Sequence, residues 1–328
     1  MAEKLYITTS PHVHCGDTIE RNMRWVVWAL MPALFTSFFV FGLGALIVTA
    51  TSVLSCLFFE WFITRFILKR PSTLGDLSAT ITGILLAFNL PSNMPLFMIV
   101  MGALVAIGVG KMAFGGLGNN PFNPALVGRV FLLISFPAKM TSWPVPAGIA
   151  TSYIDAATGA TPLNLIGQIA GGNTAAADLL PSLGNLFIGN IGGCIGEVSV
   201  VALLIGLIIL RSSKVITCHI PVSILATVTI LTGVMWLINP VLYVNPLYHL
   251  CSGGLMLGAI FMATDYVTSP MTTKGMVWYG IGIGVLTVII RYFGSYPEGM
   301  SFAILIMNAV TPLINNWCKP KRFGEVKK

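Results

Sequence analysis

The run DAATGATPL, Asp155–Leu163, places a hydroxyl at Thr161 on a turn-prone backbone between blocks of apolar sequence. Gly159 and Ala160 leave room for an approaching enzyme, and Pro162 stiffens the exit. Asp155 lies six positions before Thr161, with Thr158 between them. An exposed hydroxyl of this kind can be esterified to a phosphate, although an ordinary turn uses the same residue types. A second kind of chemistry is offered by Glu60, Glu197 and Asp265, which fall in or at the end of apolar stretches. Ionised groups there are costly, so these carboxylates are candidates for an ion path or for pairing with a neighbouring helix. Glu197 follows Gly192-Gly193-Cys194-Ile195-Gly196, a run that permits close helix approach. Glu20 and Asp76 read as solvated interfacial groups. Asn89, Asn119, Asn120, Asn123 and Asn308 offer polar breaks for an aromatic ligand or an ion. Those of Asn119–Asn123 also suit the capping of the next helix. His12, His14 and Cys15 are too crowded to reach one metal together and read as surface residues. Gly280, Gly282 and Gly284 lie in an apolar run, where helix packing explains them.

These residues must be positioned by membrane helices. The chain is 55% hydrophobic and 9% charged, against about 25% charged for a soluble domain. Ten apolar stretches are predicted to span a bilayer. They run over Trp25–Phe41, Leu46–Leu68, Leu77–Leu90, Pro95–Ala113 and Phe122–Phe136. After a long polar segment come Leu186–Leu210, Ile216–Ile238, Cys251–Asp265, Gly275–Tyr292 and Met300–Trp317. The third and eighth are short and end at polar breaks, Asn89-Leu90-Pro91 and Asp265–Pro270. Broken helices at membrane depth are tolerated only inside protein or along a cavity. Of the 18 basic residues only Lys139 and Arg291 fall outside the set assigned to one side, which predicts both termini in the cytoplasm and the Thr161 segment on the outer side. The net charge of +7 sits at helix ends and in the C-terminal tail, a pattern that does not point to nucleic acid. Met1–Arg24 is polar and does not read as a cleavable leader. The six cysteines form no CxxC pair, which argues against a disulfide framework, a zinc site or an iron–sulfur site held by this chain alone.

The two halves also resemble each other. Ser78, Gly83, Asn89-Leu90-Pro91, Gly115-Gly116 and Phe122–Ala125 have counterparts in Ser252, Gly258, Asp265, Pro270, Gly294 and Phe302-Ala303. The interval from Pro91 to Gly116 is 25 residues and that from Pro270 to Gly294 is 24. Five helices separate equivalent segments, an odd number, so the repeats are expected to be inverted in the membrane. That is a transporter-type architecture with a site at the repeat interface. The predicted organisation is one membrane domain: residues 1–136 as the first five-helix repeat and 137–185 as an outer loop. Residues 186–317 form the second repeat and 318–328 a basic cytoplasmic tail.

Taken together, these residues resemble a known family. Ser10-Pro11-His12, DAATGATPL at Asp155–Leu163, GGCIGEVS at Gly192–Ser199, HLCSGGLMLGAIFMATDYVTSP at His249–Pro270 and YPEGMSFAILIMNAVTPLI at Tyr296–Ile314 carry the resemblance. It is to the RnfD proteins, membrane components of the Rnf (Rsx) ion-translocating ferredoxin:NAD oxidoreductase complexes. More distantly, the chain is similar to the NqrB proteins of the sodium-pumping NADH:quinone reductase. DAATGATPL is similar to the threonine flavinylation motif. The resemblance implies FMN joined through its phosphate to Thr161, attached by a separate flavin transferase, with Asp155, Thr158, Gly159 and Ala160 completing the motif. It also implies a fold similar to urea and ammonium channels, other Rnf-type subunits as partners, and coupling of electron transfer to Na⁺ or H⁺ translocation in a bacterial inner membrane. A second, non-covalent flavin (riboflavin-like) is implied for some members. The chain offers no nicotinamide site and no cluster cysteines, so it is expected to exchange electrons through another protein of the complex and not to catalyse alone. The rival expectations are a urea- or ammonium-type solute channel without a redox role, and a scaffold that only holds partner subunits.

Overall fold

The computed structural model describes residues 18–71, 73–146, 148, 153, 158–197, 199–294, 296 and 298–319. Among them the chain is helical throughout, apart from one isolated bridge between Pro144 and Thr158. Asp155, His12, His14 and Cys15 lie outside the described residues.

Chain order gives α1 (Ile19–Phe41), α2 (Leu43–Phe62, continuing as a π-turn to Ile67), α3 (Ser78–Phe88), α4 (Leu96–Leu104, with a π-turn to Val109) and α5 (Pro124–Ser135). A connecting region carries α6 (Pro137–Met140), α7 (Pro162–Ala170) and α8 (Leu183–Ile188). Then follow α9 (Val200–Ser212), α10 (His219–Ile238), α11 (Pro246–Cys251), α12 (Leu255–Leu257, with a π-turn to Met262), α13 (Thr273–Phe293) and α14 (Met300–Trp317). Helices starting at Ile19, Leu43, Leu96, His219 and Thr273 are long and apolar enough to cross a membrane, and α3, α5 and α9 are shorter apolar helices. The protein is an integral membrane protein.

Helix starts follow local chemistry. The Thr18 side chain accepts from Arg21 N and sets the start of α1, earlier than the apolar run alone predicts. Asn123 accepts from Ala125 N and places Pro124 in the first turn of α5, so this asparagine is a cap, as expected. Small residues set the packing. A Cβ on Gly83 would lie 2.7 Å from Val53 Cα, and Ser52 Oγ donates to Gly83 O at 2.8 Å, which fixes α3 against the backbone of α2. Cβ atoms on Gly280 and Gly284 would meet Ser223 Oγ at 1.8 Å and Thr227 Cβ at 2.7 Å, so these glycines let α13 lie along α10.

Two half-length helices occupy the centre. α3 has 11 residues, roughly 16 Å against a hydrocarbon thickness of about 30 Å. Ser78 at its start lines a cavity that also contains Asp265, which follows the last turn after α12. At its other end Phe88 O accepts from Gly196 N, beside Glu197. Gly253, just before α12, lines the cavity at that second end, next to Glu197. α3 and α12 therefore run in opposite directions between the same two ends of the bundle.

The predicted span Leu186–Leu210 is a correction. It is not one helix: α8 ends at Ile188, and non-helical backbone follows before α9 starts at Val200. Gly189 closes α8 at φ 102°, a left-handed conformation that suits glycine. Gly192, Gly193 and Gly196 follow. The region predicted as a loop, 137–185, also differs, because it contains α6, α7 and the start of α8.

Candidate functional site

Thr161 is the residue before α7, in extended backbone (φ −74°, ψ 153°). Its Oγ1 accepts from Asn164 N at 3.2 Å. The hydroxyl thus satisfies a first-turn amide of α7, and Thr161 is only 7% exposed. This corrects the expectation of an exposed hydroxyl: helix capping draws the side chain inward. Thr158, Gly159 and Ala160 remain exposed. Gly159 N donates to Trp143 O at 2.9 Å, and a Cβ there would sit 3.0 Å from Val145 Cγ2. The motif backbone is therefore pinned against Trp143–Val145, and Gly159 leaves the space it needs.

Thr161 separates two openings. An open groove of about 320 Å³ runs past Gly159, Ala160, Pro162, Val145 and Leu179. On the other side is a cavity of about 20 Å³, bounded by Thr161, Trp143, Gly192, Gly193, Glu197 and Glu298. Below it lies a buried charged cluster. Arg129, in α5, is ion-paired to Glu298 and donates to Ser301 Oγ in α14. Its Nη2 is 3.8 Å from Glu197 Oε1. Glu298 Oε1 accepts from Gly254 N at 3.3 Å. Arg291, in α13, donates to His249 O at 2.7 Å and Ser252 O at 3.0 Å, carbonyls at the C-terminal end of α11. His249 Nε2 lies 2.8 Å from the Tyr292 hydroxyl.

At the opposite end, Glu60 is fully buried and paired with Lys111 Nζ at 2.7 Å. Thr73 Oγ1 donates to its second oxygen at 2.7 Å, and Lys111 also donates to Ser78 Oγ at 2.5 Å. Glu60 is thus ion-paired with a basic residue from another segment of the bundle. Asp265 accepts from Val267 N and Thr268 Oγ1, both at 3.4 Å. It shares the cavity at that end with Asn22, Asn120, Asn123 and Lys111.

The predicted site residues therefore divide. Thr161 and Glu197 share one small cavity, while Glu60 and Asp265 lie at the other end. Sequence reasoning missed Arg129, Arg291 and Glu298. The basic-residue count assigns Arg129 and Lys111 to one membrane face, yet both are buried in ion pairs inside the bundle. The signal that marks Arg129 is its place within the apolar run Leu126–Leu133.

The comparison with known proteins agrees with the sequence resemblance. Residues 6–324 match the NQR2, RnfD, RnfE family. The chain belongs to this family. It is 44% identical to the D subunit of the Na⁺-translocating ferredoxin:NAD⁺ oxidoreductase complex of Acetobacterium woodii, over 98% of this chain and 96% of that one. It is 40% identical to the D subunit of the proton-translocating ferredoxin:NAD⁺ oxidoreductase complex of Clostridium ljungdahlii, over 97% and 96%. The D subunit of the ion-translocating oxidoreductase complex of Cronobacter sakazakii is 36% identical, over 97% and 98%. Relatives named for different ions match this chain almost equally well, so likeness alone does not select the ion.

Proposed function

We propose that this chain is the membrane subunit of an ion-translocating ferredoxin:NAD oxidoreductase complex and carries FMN on Thr161. The observation that carries the reading is the position of Thr161 at the N-terminus of α7, between an open groove and a buried charged cluster. A helix N-terminus offers its free amides and dipole to a phosphate. The groove past the small residues Gly159 and Ala160 gives the rest of the nucleotide a place outside the bundle. Bound FMN would supply one- and two-electron chemistry, while the protein places it. Because the hydroxyl is tucked under α7, the flavin transferase must meet this segment in an opened form.

In this reading the partners are the other Rnf-type subunits, the transferase, and Na⁺ or H⁺. The chain sits in a bacterial inner membrane with both termini cytoplasmic and Thr161 on the outer side. The antiparallel α3 and α12 support an inverted-repeat core. The reading also includes a second, non-covalent flavin, as the resemblance implies for some members of the family.

The test is in-gel flavin fluorescence of the denatured chain, expressed with and without a flavin transferase. Fluorescence requiring both the transferase and Thr161 is the expected result. Its absence in wild type with the transferase present would remove the covalent flavin and favour a solute channel. Flavin released from folded Thr161→Ala on denaturation would report the second site.

A further inference from the structure

The cavity beneath Thr161 has a volume of about 20 Å³, room for one water-sized occupant. Glu197 lines it and is 7% exposed, yet its Oε1 has no hydrogen-bond partner. A buried carboxylate oxygen without a partner is costly unless a positive group or donor meets it. The neighbouring groups do not fill that need. Arg129 Nη2 is 3.8 Å away and is engaged by Glu298, while its Nη1 donates to Ser301. Arg291 directs both terminal nitrogens to backbone carbonyls. His249 Nε2 is occupied by the Tyr292 hydroxyl, and Cys194 Sγ donates to Asn89 O at 3.3 Å. Ligand atoms of Cys194, Glu197 and Glu298 all lie within 4.8 Å of one another. Two carboxylates thus face two buried arginines at the wall of a water-sized space, one paired to Glu298 and the other turned to backbone carbonyls, and Glu197 Oε1 is left without a hydrogen bond.

We propose that Glu197 and Glu298 hold one small monovalent cation, a proton or Na⁺, in this cavity directly beneath Thr161. The proposal rests on the translocase reading above, and its geometry does not require the flavin to be attached. A phosphodiester on Thr161 would add a negative charge beside the cavity and strengthen the hold on the cation. An electron on the attached group would do the same, because charges at short range in a low-dielectric interior interact strongly. With Na⁺ no covalent bond changes, whereas a proton leaves an external water or hydronium and forms an O–H bond on one carboxylate, the reverse occurring on release; the electron comes from a partner's cofactor.

Infrared difference spectroscopy of the flavinylated, membrane-reconstituted chain tests this. One arm steps pH without Na⁺, and the other adds Na⁺ at fixed pH with K⁺ held in balance. A protonated-carboxyl band that follows pH and is missing in Glu197→Gln identifies a proton. A carboxylate shift that follows Na⁺ and is missing in that variant identifies Na⁺. If neither arm gives a carboxyl signal that Glu197→Gln removes, the proposal is overturned. Glu298→Gln provides an independent check should Glu197→Gln fold poorly. Losing one neighbouring negative charge should raise the cation concentration at half-saturation about tenfold, and an unchanged midpoint would count against the shared site. Thr161→Ala separates the two readings, because the same signal should persist there without flavin.

Discussion

The two ends of this bundle both bury carboxylates against basic residues, but they satisfy them differently. Around Glu60 both carboxylate oxygens are hydrogen-bonded, one to Lys111 and one to Thr73, and Lys111 reaches on to Ser78 at the start of α3. Around Glu197 the hydrogen bonding stays incomplete: Glu197 Oε1, Arg129 Nε and Arg291 Nε all lack partners. The first arrangement is a clamp that ties α2, α4 and α3 together. The second leaves unmet valence next to Thr161, the feature on which the proposed cation site rests. Burial of an acid in a membrane helix is thus not enough to mark an ion site. What distinguishes the two acids is whether the protein has already answered them.

The largest expected effect is at the clamp. Lys111→Met should destabilise the protein by about 3–5 kcal/mol, because it strands a buried carboxylate. Lys111→Met combined with Glu60→Gln should recover most of that loss, since the amide is neutral and can still accept from Thr73. Thermal unfolding in detergent measures both, and a neutral Lys111→Met would break the contrast between the two ends.

The direct comparison is Glu60→Gln against Glu197→Gln. The first leaves a buried ammonium without its counter-ion and should cost about 3 kcal/mol. The second removes an oxygen that has no hydrogen bond to lose and leaves Arg129 paired with Glu298, so it should cost less than the first. Equal losses in the two variants would mean that Glu197 is as firmly built in as Glu60.

The same contrast explains what could be read from the chain. The apolar stretches were legible because a bilayer fixes their length, and the breaks after α3 and α12 were legible because Asn89, Pro91, Asp265 and Pro270 punctuate them. The break before α9 was not, because Ile191, Cys194 and Ile195 keep the mean hydropathy high while the glycines between them end the helix. Glu197 was legible as an intramembrane acid. Its surroundings were not, since Arg129 and Glu298 are 169 positions apart in sequence and meet only in the fold. Nor could the sequence tell Glu60 from Glu197, because the residue that separates their roles, Lys111, reads as an ordinary charge at a helix end.

The glycines of that hidden break sharpen the picture further. A Cβ on Gly196 would lie 2.3 Å from Phe88 Cβ, whereas one on Gly193 would come no closer than 3.9 Å, to Glu197 Oε2. Gly196→Ala should therefore cost about 1–3 kcal/mol by overpacking, and Gly193→Ala should stay within about 0.5 kcal/mol. If both are tolerated equally in thermal unfolding, the end of α3 does not pin the stretch of chain that presents Glu197.

The smallest effect separates the capping role of Thr161 from its proposed role as the flavin attachment point. As the N-cap of α7 its hydroxyl accepts from Asn164 N, so Thr161→Ala should cost about 1 kcal/mol and Thr161→Ser only a few tenths. Both can be measured on chain expressed without the transferase, where no flavin is attached. The alanine variant then loses the cap and the proposed attachment point together, while the serine variant keeps a hydroxyl in the same place. A serine variant that is as stable as wild type yet takes up less flavin would show that the transferase reads the threonine methyl, and not merely a hydroxyl at a helix start. Equal stability of all three proteins would mean that the cap contributes little, and that the inward rotamer of Thr161 is held by Pro162 and Leu163 packing instead.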